Sequence, residues 1–125
     1  MKDYANASLL QLAARIARRE VSVEQVARAA ITHIEEYEPA VHAWQYFDPQ
    51  LVLEQARLLD AQSHQGLLHG VPLGVKDLMD TEDMPTTYGS PIYAGYRPLT
   101  DSACVASSRD CLLYTSPSPR DQRGS

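Results

Sequence analysis

The 125-residue chain is poor in several residue types, and each shortage excludes a class of protein. Its two cysteines, Cys104 and Cys111, have neither the CxxC spacing of a redox or zinc site nor a disulfide framework. Its four histidines form no metal-binding pattern such as HExxH. No apolar run approaches the roughly 20 residues that span a bilayer, and the N-terminus lacks the features of a secretory signal. We therefore expect a reduced, cytoplasmic protein with no metal site.

Positive charge is also scarce. The chain has 11 basic and 16 acidic residues, a net charge of −5, and no run of basic residues. We therefore expect neither nucleic acid nor a membrane surface as a direct partner, because both are anionic. The only lysines are Lys2 and Lys76, and Lys76 lies in the stretch 67–90, LLHGVPLGVKDLMDTEDMPTTYGS. In that stretch, glycine and proline residues typical of turns surround a short apolar run that leads directly to Lys76. This arrangement makes it the candidate site.

Three helices are predicted before this stretch. Ser8 and Ser22 each have glutamine three residues later, the form of a capping box, and apolar residues at helical spacing follow each serine. Asp48 is a favourable N-cap before Pro49, and the third helix is expected to run to about residue 63. Because proline disfavours a helical conformation in the residue before it, we expect the second helix to end at Pro39.

Two strands and a fourth helix complete the predicted elements. Residues 42–47, HAWQYF, are rich in aromatics, which is typical of a strand, and residues 73–76 would form the second strand. Residues 101–105, DSACV, have the form of a cap that opens a fourth helix. The order of two helices, then strand, helix and strand, favours an α/β protein whose sheet is covered by helices.

Residues 70–76, GVPLGVK, are not a phosphate-binding loop. That loop requires GxxxxGK followed by Ser or Thr, whereas here the second glycine comes too early and Asp77 follows the lysine. On an extended segment Lys76 and Asp77 point to opposite faces, so we do not expect them to pair. The glycines and Pro72 would leave space around Lys76. A lysine in dry surroundings can act as a neutral general base; the alternative is a solvated lysine or one paired with a carboxylate.

A longer pattern surrounds Lys76. Residues 68–105 contain, in order, G-x-P-x-G-V-K-D, a D-T segment, M-P-T-T-x-G-S and an aspartate before a helix of small residues. This order and spacing resemble the N-terminal part of the amidase signature family, with a weaker likeness over residues 8–110. The resemblance implies the α/β fold of that family, a mixed sheet covered by helices, and no cofactor or metal.

The resemblance also gives Lys76 a role. Lys76 occupies the position of the lysine in the family's Ser–cis-Ser–Lys triad, where it takes a proton from a bridging serine that in turn activates the nucleophilic serine. Both serines and the glycine-rich oxyanion loop of the family lie C-terminal to residue 110. The serines present match neither of them: Ser90, Ser102, Ser107 and Ser108. We therefore expect an inactive N-terminal fragment whose catalytic residue is Lys76.

Neighbouring residues are expected to support Lys76 without reacting. A set of residues should shape and hydrogen-bond the loop around it: Asp77, Thr86, Thr87, Gly89 and Ser90. Asp101 is expected to cap the fourth helix. His69 is expected to be an ordinary histidine in a surface turn, because the triad needs none.

The last 15 residues differ from the rest of the chain. Residues 111–125, CLLYTSPSPRDQRGS, contain two Ser-Pro pairs that cannot continue the fourth helix. Their first part, CLLYTSPSPRD, resembles the translation of a transposase adapter used in sequencing libraries. We therefore predict a truncated amidase signature domain over residues 1–110 and a non-native or disordered tail over residues 111–125.

Three functions stay open at this point. The first is a stand-alone amidase that hydrolyses a carboxamide C–N bond to a carboxylate and ammonia or an amine. The second is the amidase-type (A) subunit of a tRNA-dependent amidotransferase, which shares the signature, although the segment 88–93, YGSPIY, favours the first. The third is a non-enzymatic helical interaction module. For the enzyme we expect a small-molecule amide substrate, and a homodimer of the full-length parent is compatible with this expectation.

Overall fold

The computed structural model describes residues 6–63, 66–110 and 114–117. In chain order the elements are α1 (Leu9–Ala17), α2 (Val23–Val41), α3 (Pro49–Ala61), β1 (Pro72–Val75), a 3-10 turn (Pro91–Tyr93), α4 (Ala103–Asp110) and β2 (Tyr114–Pro117). The four helices predicted from the sequence are all present, and β1 lies within one residue of its predicted bounds. Those predictions are confirmed.

The three N-terminal helices begin where the sequence predicts, because each start is fixed by local hydrogen bonds. In both capping boxes the serine hydroxyl accepts from the glutamine N–H, and the glutamine side chain accepts from the serine N–H: Ser8 with Gln11, and Ser22 with Gln25. Asp48 accepts two N–H bonds from the first turn of α3. These contacts satisfy donors that a helix end would otherwise leave free.

The end of α2 differs from the prediction. The helix does not stop at Pro39 but continues to Val41, with His42 as its C-cap in the left-handed region at φ 51°. The His42 N–H donates to the Glu38 carbonyl at 2.9 Å, which closes the last turn. Proline removes only one hydrogen-bond donor, and so near the end of a helix little of the backbone ladder is lost.

The predicted strand at residues 42–47 is wrong. Since α2 extends further than predicted, this segment is the irregular connection to α3. The Trp44 N–H donates to Glu38 at 2.9 Å, and the Trp44 and Phe47 rings are in contact with centroids 6.0 Å apart. A strand needs a neighbour to pair its backbone, and no described strand pairs with these residues. A segment rich in aromatic residues is therefore not sufficient to predict a strand here.

The core lies between the three N-terminal helices and the turn that leads into β1. Its buried members are Ala13, Ile16, Val21, Val23, Val26, Ala27, Ile31, Val52, Leu53, Ala56 and Val71. Asp60, near the end of α3, is also hydrogen-bonded to the start of α2: its carboxylate accepts the Val23 N–H at 2.8 Å and the Glu24 N–H at 2.9 Å. The apolar faces of these helices thus pack together, and part-buried hydrogen bonds join α2 and α3 at one edge of the core.

Gly70 lets the chain enter β1 close to this core. Its φ is +83°, and a Cβ atom at this position would lie 2.5 Å from Cγ2 of Val23. Both the backbone conformation and the close approach require glycine. The expectation that the glycines leave space for Lys76 is wrong for Gly70, because its neighbours are core side chains of α1 and α2.

β1 pairs in parallel with β2, with Leu73 beside Thr115 and Gly74 beside Ser116. The sequence predicted a mixed sheet, and within the described residues this parallel pair is the sheet. β2 lies inside the predicted tail. The division of the chain at residue 110 and the foreign origin of the tail stay predictions.

Candidate functional site

Lys76 lies at the C-terminal end of β1, directly after Val75. Its side chain is half-buried, and it forms no ion pair with any described residue. A cleft of about 10 Å³ beside it is also lined by Thr81, Met84 and Thr86. That volume is about the size of one water molecule, so the cleft by itself does not hold a substrate.

The segment around Lys76 follows the alternation predicted for a strand. Val71, Val75 and Asp77 are buried, whereas Gly74 is exposed and Lys76 is half-buried. Lys76 and Asp77 therefore point to opposite faces, as the two-residue period of extended backbone requires. Lys76 lies on the more accessible face and Asp77 on the interior face.

Asp77 organises the loop that follows. The residue is 8% exposed, and its carboxylate accepts the Thr87 N–H at 2.8 Å, the Gly89 N–H at 3.4 Å and the Thr87 hydroxyl. These donors compensate the buried carboxylate for the water it has lost. Thr86 is also buried, and its hydroxyl donates to the Met79 carbonyl at 3.4 Å. The prediction that Asp77 and these residues shape the loop is confirmed.

Tyr88 lies between the two residues that Asp77 holds, with its backbone in the left-handed region at φ 52°. Its hydroxyl donates to Asp80, and this hydrogen bond, together with burial and the charge of Asp80, raises the pKa of Tyr88 to about 12. The Tyr88 ring contacts the rings of Tyr93 and Tyr96, with centroids 5.2 and 6.3 Å away. Such a backbone is uncommon for a bulky residue and requires support from its surroundings. No sequence pattern indicates it.

Arg109 ties α4 to the same loop. Its guanidinium lies 2.9 Å from the Asp83 carboxylate and 2.7 Å from the Asp101 carboxylate. Asp101 also accepts the Glu82 N–H at 2.9 Å. The prediction that Asp101 caps α4 is therefore wrong: Ser102 precedes the helix, and its hydroxyl accepts an N–H of the first turn at 3.4 Å. Asp101 stands one residue too early for a cap and links the loop to Arg109.

The serine hydroxyls of this region support turns and helices. Ser90 accepts the Ile92 N–H at 3.3 Å within the 3-10 turn, and the Ser108 hydroxyl donates to the Cys104 carbonyl at 2.9 Å. Ser90, Ser102 and Ser108 each hydrogen-bond within their own turn or helix, and none of the three is bonded to Lys76. These three hydroxyls thus do not form the expected triad with Lys76.

His69 does not lie in a surface turn, contrary to the prediction. It is 2% exposed, and its Nε2 lies 3.1 Å from the carbonyl oxygen of Leu59. The turn before β1 is covered by the end of α3, so a histidine there becomes part of the interior. Composition alone indicates a turn but does not indicate which element packs over it.

The described residues place no group of three or more histidine, cysteine, aspartate or glutamate side chains where a metal ion could be held. None of their helices is both long and apolar enough to cross a bilayer.

Residues 25–110, from α2 through Lys76 to the end of α4, match the family described as Amidase. The A subunit of the glutamyl-tRNA(Gln) amidotransferase from Acidothermus cellulolyticus is 44% identical over 114 residues, 88% of this chain and 23% of the relative. A putative amidase, AmiD, of Mycobacterium bovis is 35% identical over 81% of this chain and 22% of its own length. The chain thus spans somewhat under a quarter of the curated relatives it matches.

Solved structures of amidases have the same fold as this chain. The native peptide amidase of Stenotrophomonas maltophilia superposes with a TM-score of 0.85 at 27% identity, covering 93% of this chain and 25% of that protein. A bacterial aryl acylamidase of the amidase signature type superposes with a TM-score of 0.83 at 20% identity, a likeness of fold alone. The predicted α/β class is therefore confirmed.

Proposed function

Because the chain belongs to the amidase family, we propose that it forms the part of an amide-hydrolysing enzyme that carries the catalytic lysine, Lys76. The reaction is hydrolysis of a carboxamide C–N bond in a small molecule, giving a carboxylate and ammonia or an amine. The observation that carries the proposal is the position of Lys76. It is half-buried at the end of β1 and has no carboxylate partner in the described chain.

Lys76 is proposed to act as a general base. It forms no ion pair with any described residue, so no described carboxylate holds its amine. Neutral lysine can accept a proton from a hydroxyl, and its long stem reaches from a strand into a neighbouring network. On the opposite face, Asp77 anchors the end of β1 to Thr87 and Gly89, which fixes the backbone that carries Lys76.

The two serines of the mechanism are proposed to come from the part of the full-length enzyme that corresponds to the unmatched length of the relatives. Lys76 takes the proton of a bridging serine, which takes the proton of the nucleophilic serine. The nucleophile's oxygen bonds to the amide carbon, the C–N bond breaks, and the proton passes to the leaving nitrogen. Water then hydrolyses the acyl-serine ester, and backbone N–H groups stabilise the oxyanion in both steps.

The experiment that tests this function is Lys76→Ala in the full-length parent enzyme. We expect kcat for amide hydrolysis to fall by roughly 10²–10⁴-fold, the usual contribution of a general base. The matched control is Lys2→Ala, because Lys2 is the other lysine of the chain and lies outside the region of resemblance. A Lys76→Ala enzyme with a near-parental rate would remove Lys76 from the catalytic role.

A second candidate is the amidase-type component of a tRNA-dependent amidotransferase. It is favoured by the 44% identity to such a protein, compared with 35% to the putative amidase. The two functions differ in whether the enzyme works without other polypeptides. Hydrolysis of simple amides by the isolated parent supports the amidase, whereas glutamine hydrolysis that requires added partner polypeptides supports the amidotransferase.

The non-enzymatic interaction module has lost its support. Helices and a glycine-containing loop favoured it, but Gly70 packs against the core and the loop after Lys76 is fixed internally by Asp77. The match over residues 25–110 is also to a family of enzymes. An enzymatic function therefore explains more of these observations than a non-enzymatic interaction module does.

A further inference from the structure

The residues that follow Lys76 form a tight turn. The Met79 N–H donates to the Lys76 carbonyl at 3.0 Å, which closes a turn over residues 76–79. Lys76 is the first residue of this turn and also the residue that follows β1. Its backbone is therefore defined by the strand on one side and by the turn on the other. A group that holds Met79 in place thus also restrains the backbone of Lys76.

The hydroxyl of Thr86 is such a group. It donates to the Met79 carbonyl at 3.4 Å, so two successive hydrogen bonds lead from Thr86 through Met79 to Lys76. Thr86 is 2% exposed, and a hydroxyl at so buried a position needs a partner within the protein. Thr86 and Lys76 also line the same small cleft. Thr86 therefore contacts the turn that begins at Lys76 and lies beside it.

Thr86 is itself fixed by the backbone around it. Its N–H donates to the Tyr96 carbonyl at 2.9 Å, and the N–H of the next residue, Thr87, donates to the Asp77 carboxylate at 2.8 Å. The segment 86–87 is thus bonded to the turn at two of its residues, Asp77 and Met79. A side chain whose own backbone is held by hydrogen bonds can hold its acceptor in one geometry.

We propose that Thr86 is a positioning residue for amide hydrolysis. Its hydroxyl holds the turn that begins at Lys76 and so fixes where the Lys76 amine lies in the full-length enzyme. This role rests on the proposed function of Lys76 as a general base. Proton transfer requires the base to lie within hydrogen-bond reach of the proton it accepts, so a small displacement of its backbone slows the reaction. Thr86 acts through Lys76 and does not react.

The test is Thr86→Val in the full-length parent enzyme, because valine keeps the branched shape of threonine and removes the hydroxyl. We expect kcat for amide hydrolysis to fall by about tenfold or more and KM to stay within about twofold, since a displaced base affects the reacting step and not substrate binding. Thr86→Ser keeps the hydroxyl and should retain kcat to within about threefold.

The matched control is Thr81→Val. Thr81 is 3% exposed, lines the same cleft and donates its hydroxyl to the Met84 carbonyl at 3.4 Å. That bond lies within residues 81–84 and does not involve the turn that begins at Lys76. Thr81→Val should lower the thermal stability about as much as Thr86→Val does but keep kcat within about twofold of the parental value. If Thr86→Val does not fold, Thr86→Ala and Thr81→Ala give the same comparison.

Combination with Lys76→Ala shows whether Thr86 acts through Lys76. If it does, Thr86→Val should not slow the Lys76→Ala enzyme any further, because the group that it positions is already absent. A purely structural role would lower the residual rate again. A near-parental rate for Lys76→Ala alone would refute the proposed function itself. An inactive Lys76→Ala enzyme together with a normal kcat for Thr86→Val would refute only the positioning role.

Three further outcomes overturn the positioning role. One is an equal loss of kcat in Thr86→Val and Thr81→Val, because the effect would then come from any buried hydroxyl of the cleft. Another is a loss in Thr86→Ser as large as that in Thr86→Val. The third is a raised KM with an unchanged kcat, which would place Thr86 in substrate binding.

Discussion

At the scale of single residues, Lys76 and Asp77 show how two neighbours on one strand come to have different environments. Their opposite faces could be predicted because the period of extended backbone is local geometry. That Asp77 would shape the loop was also predictable. Its partners Thr87 and Gly89, ten and twelve residues further along the chain, can be identified only once the path of the folded chain is known. The left-handed backbone of Tyr88 could not be predicted, since tyrosine has no preference for that conformation.

Tyr88 leads to a prediction about stability at high pH. Its pKa of about 12 lies above the ordinary 10 because the bond to Asp80 favours the protonated hydroxyl. The resulting stability is complete below pH 10 and is lost as pH rises towards 12, since the unfolded chain then releases a proton that the folded chain keeps. Urea unfolding at increasing pH should show this loss, and Tyr88→Phe should remove this component of the pH dependence.

The matched variant for this prediction is Asp80→Asn. It keeps an oxygen acceptor but removes the charge, so the pKa of Tyr88 should move down towards its ordinary value. The absorbance of tyrosinate during a pH titration of the folded chain measures this directly. An Asp80→Asn titration identical to that of the parent would show that Asp80 is not the cause of the raised pKa.

At the scale of elements, the helices were predictable, whereas the strand predicted over residues 42–47 does not form. Helix starts depend on residues within one turn, such as Ser22 and Gln25, so the sequence carries the whole signal. A strand depends on a partner that is distant in sequence, and residues 42–47 have no paired strand in the described chain. For the same reason the packing of α3 over His69 could not be inferred from the turn's composition.

The junction between α2 and the entry to β1 gives a second prediction. Gly70→Ala should lower the free energy of unfolding more than Gly95→Ala does, although both glycines have positive φ. At Gly95 a methyl group meets nothing within 4 Å, so the cost is that of the backbone alone, about 1–2 kcal/mol. At Gly70 it also meets Val23, which should add about 1–3 kcal/mol of overpacking.

Urea unfolding of both variants measures the difference. The two substitutions share the residue change and the sign of φ, so their comparison isolates the contact with Val23. Equal losses of stability would mean that the entry to β1 can move away from α2 and that the close approach of Gly70 is not required.

At the scale of the whole molecule, the chain is an amidase-family segment spanning somewhat under a quarter of its curated relatives. The α/β class was predicted from an element order that included a strand over residues 42–47, which does not form, so its support comes from the solved structures. The family could be predicted from the long pattern around Lys76. The exposure of Ile92 and Tyr96 could not be predicted, because exposure depends on which other segments pack on a residue. The described helices share one core, and both they and the region around Lys76 leave some apolar side chains in solvent.

The purified 125-residue chain is therefore expected to release no ammonia above background from simple amides. The reason is chemical: a general base accelerates nothing without a nucleophile, and Ser90, Ser102 and Ser108 are hydrogen-bonded within their own turn or helix and not to Lys76. An ammonia assay with the full-length parent enzyme as positive control makes the measurement. Turnover by the chain that Lys76→Ala abolishes would contradict the prediction.

The carboxylate of Asp60 has a consequence for the order in which the molecule folds. It joins the end of α3 to the start of α2 across 37 residues, and the core of α1, α2 and α3 forms around the same hairpin of helices. Proteins are synthesised from the N-terminus, so the residues of this helical unit emerge before β2, the strand that pairs with β1. During synthesis, the helical unit can therefore assemble on the ribosome before the strand that precedes Lys76 pairs with its partner. That strand then folds against a core that is already formed.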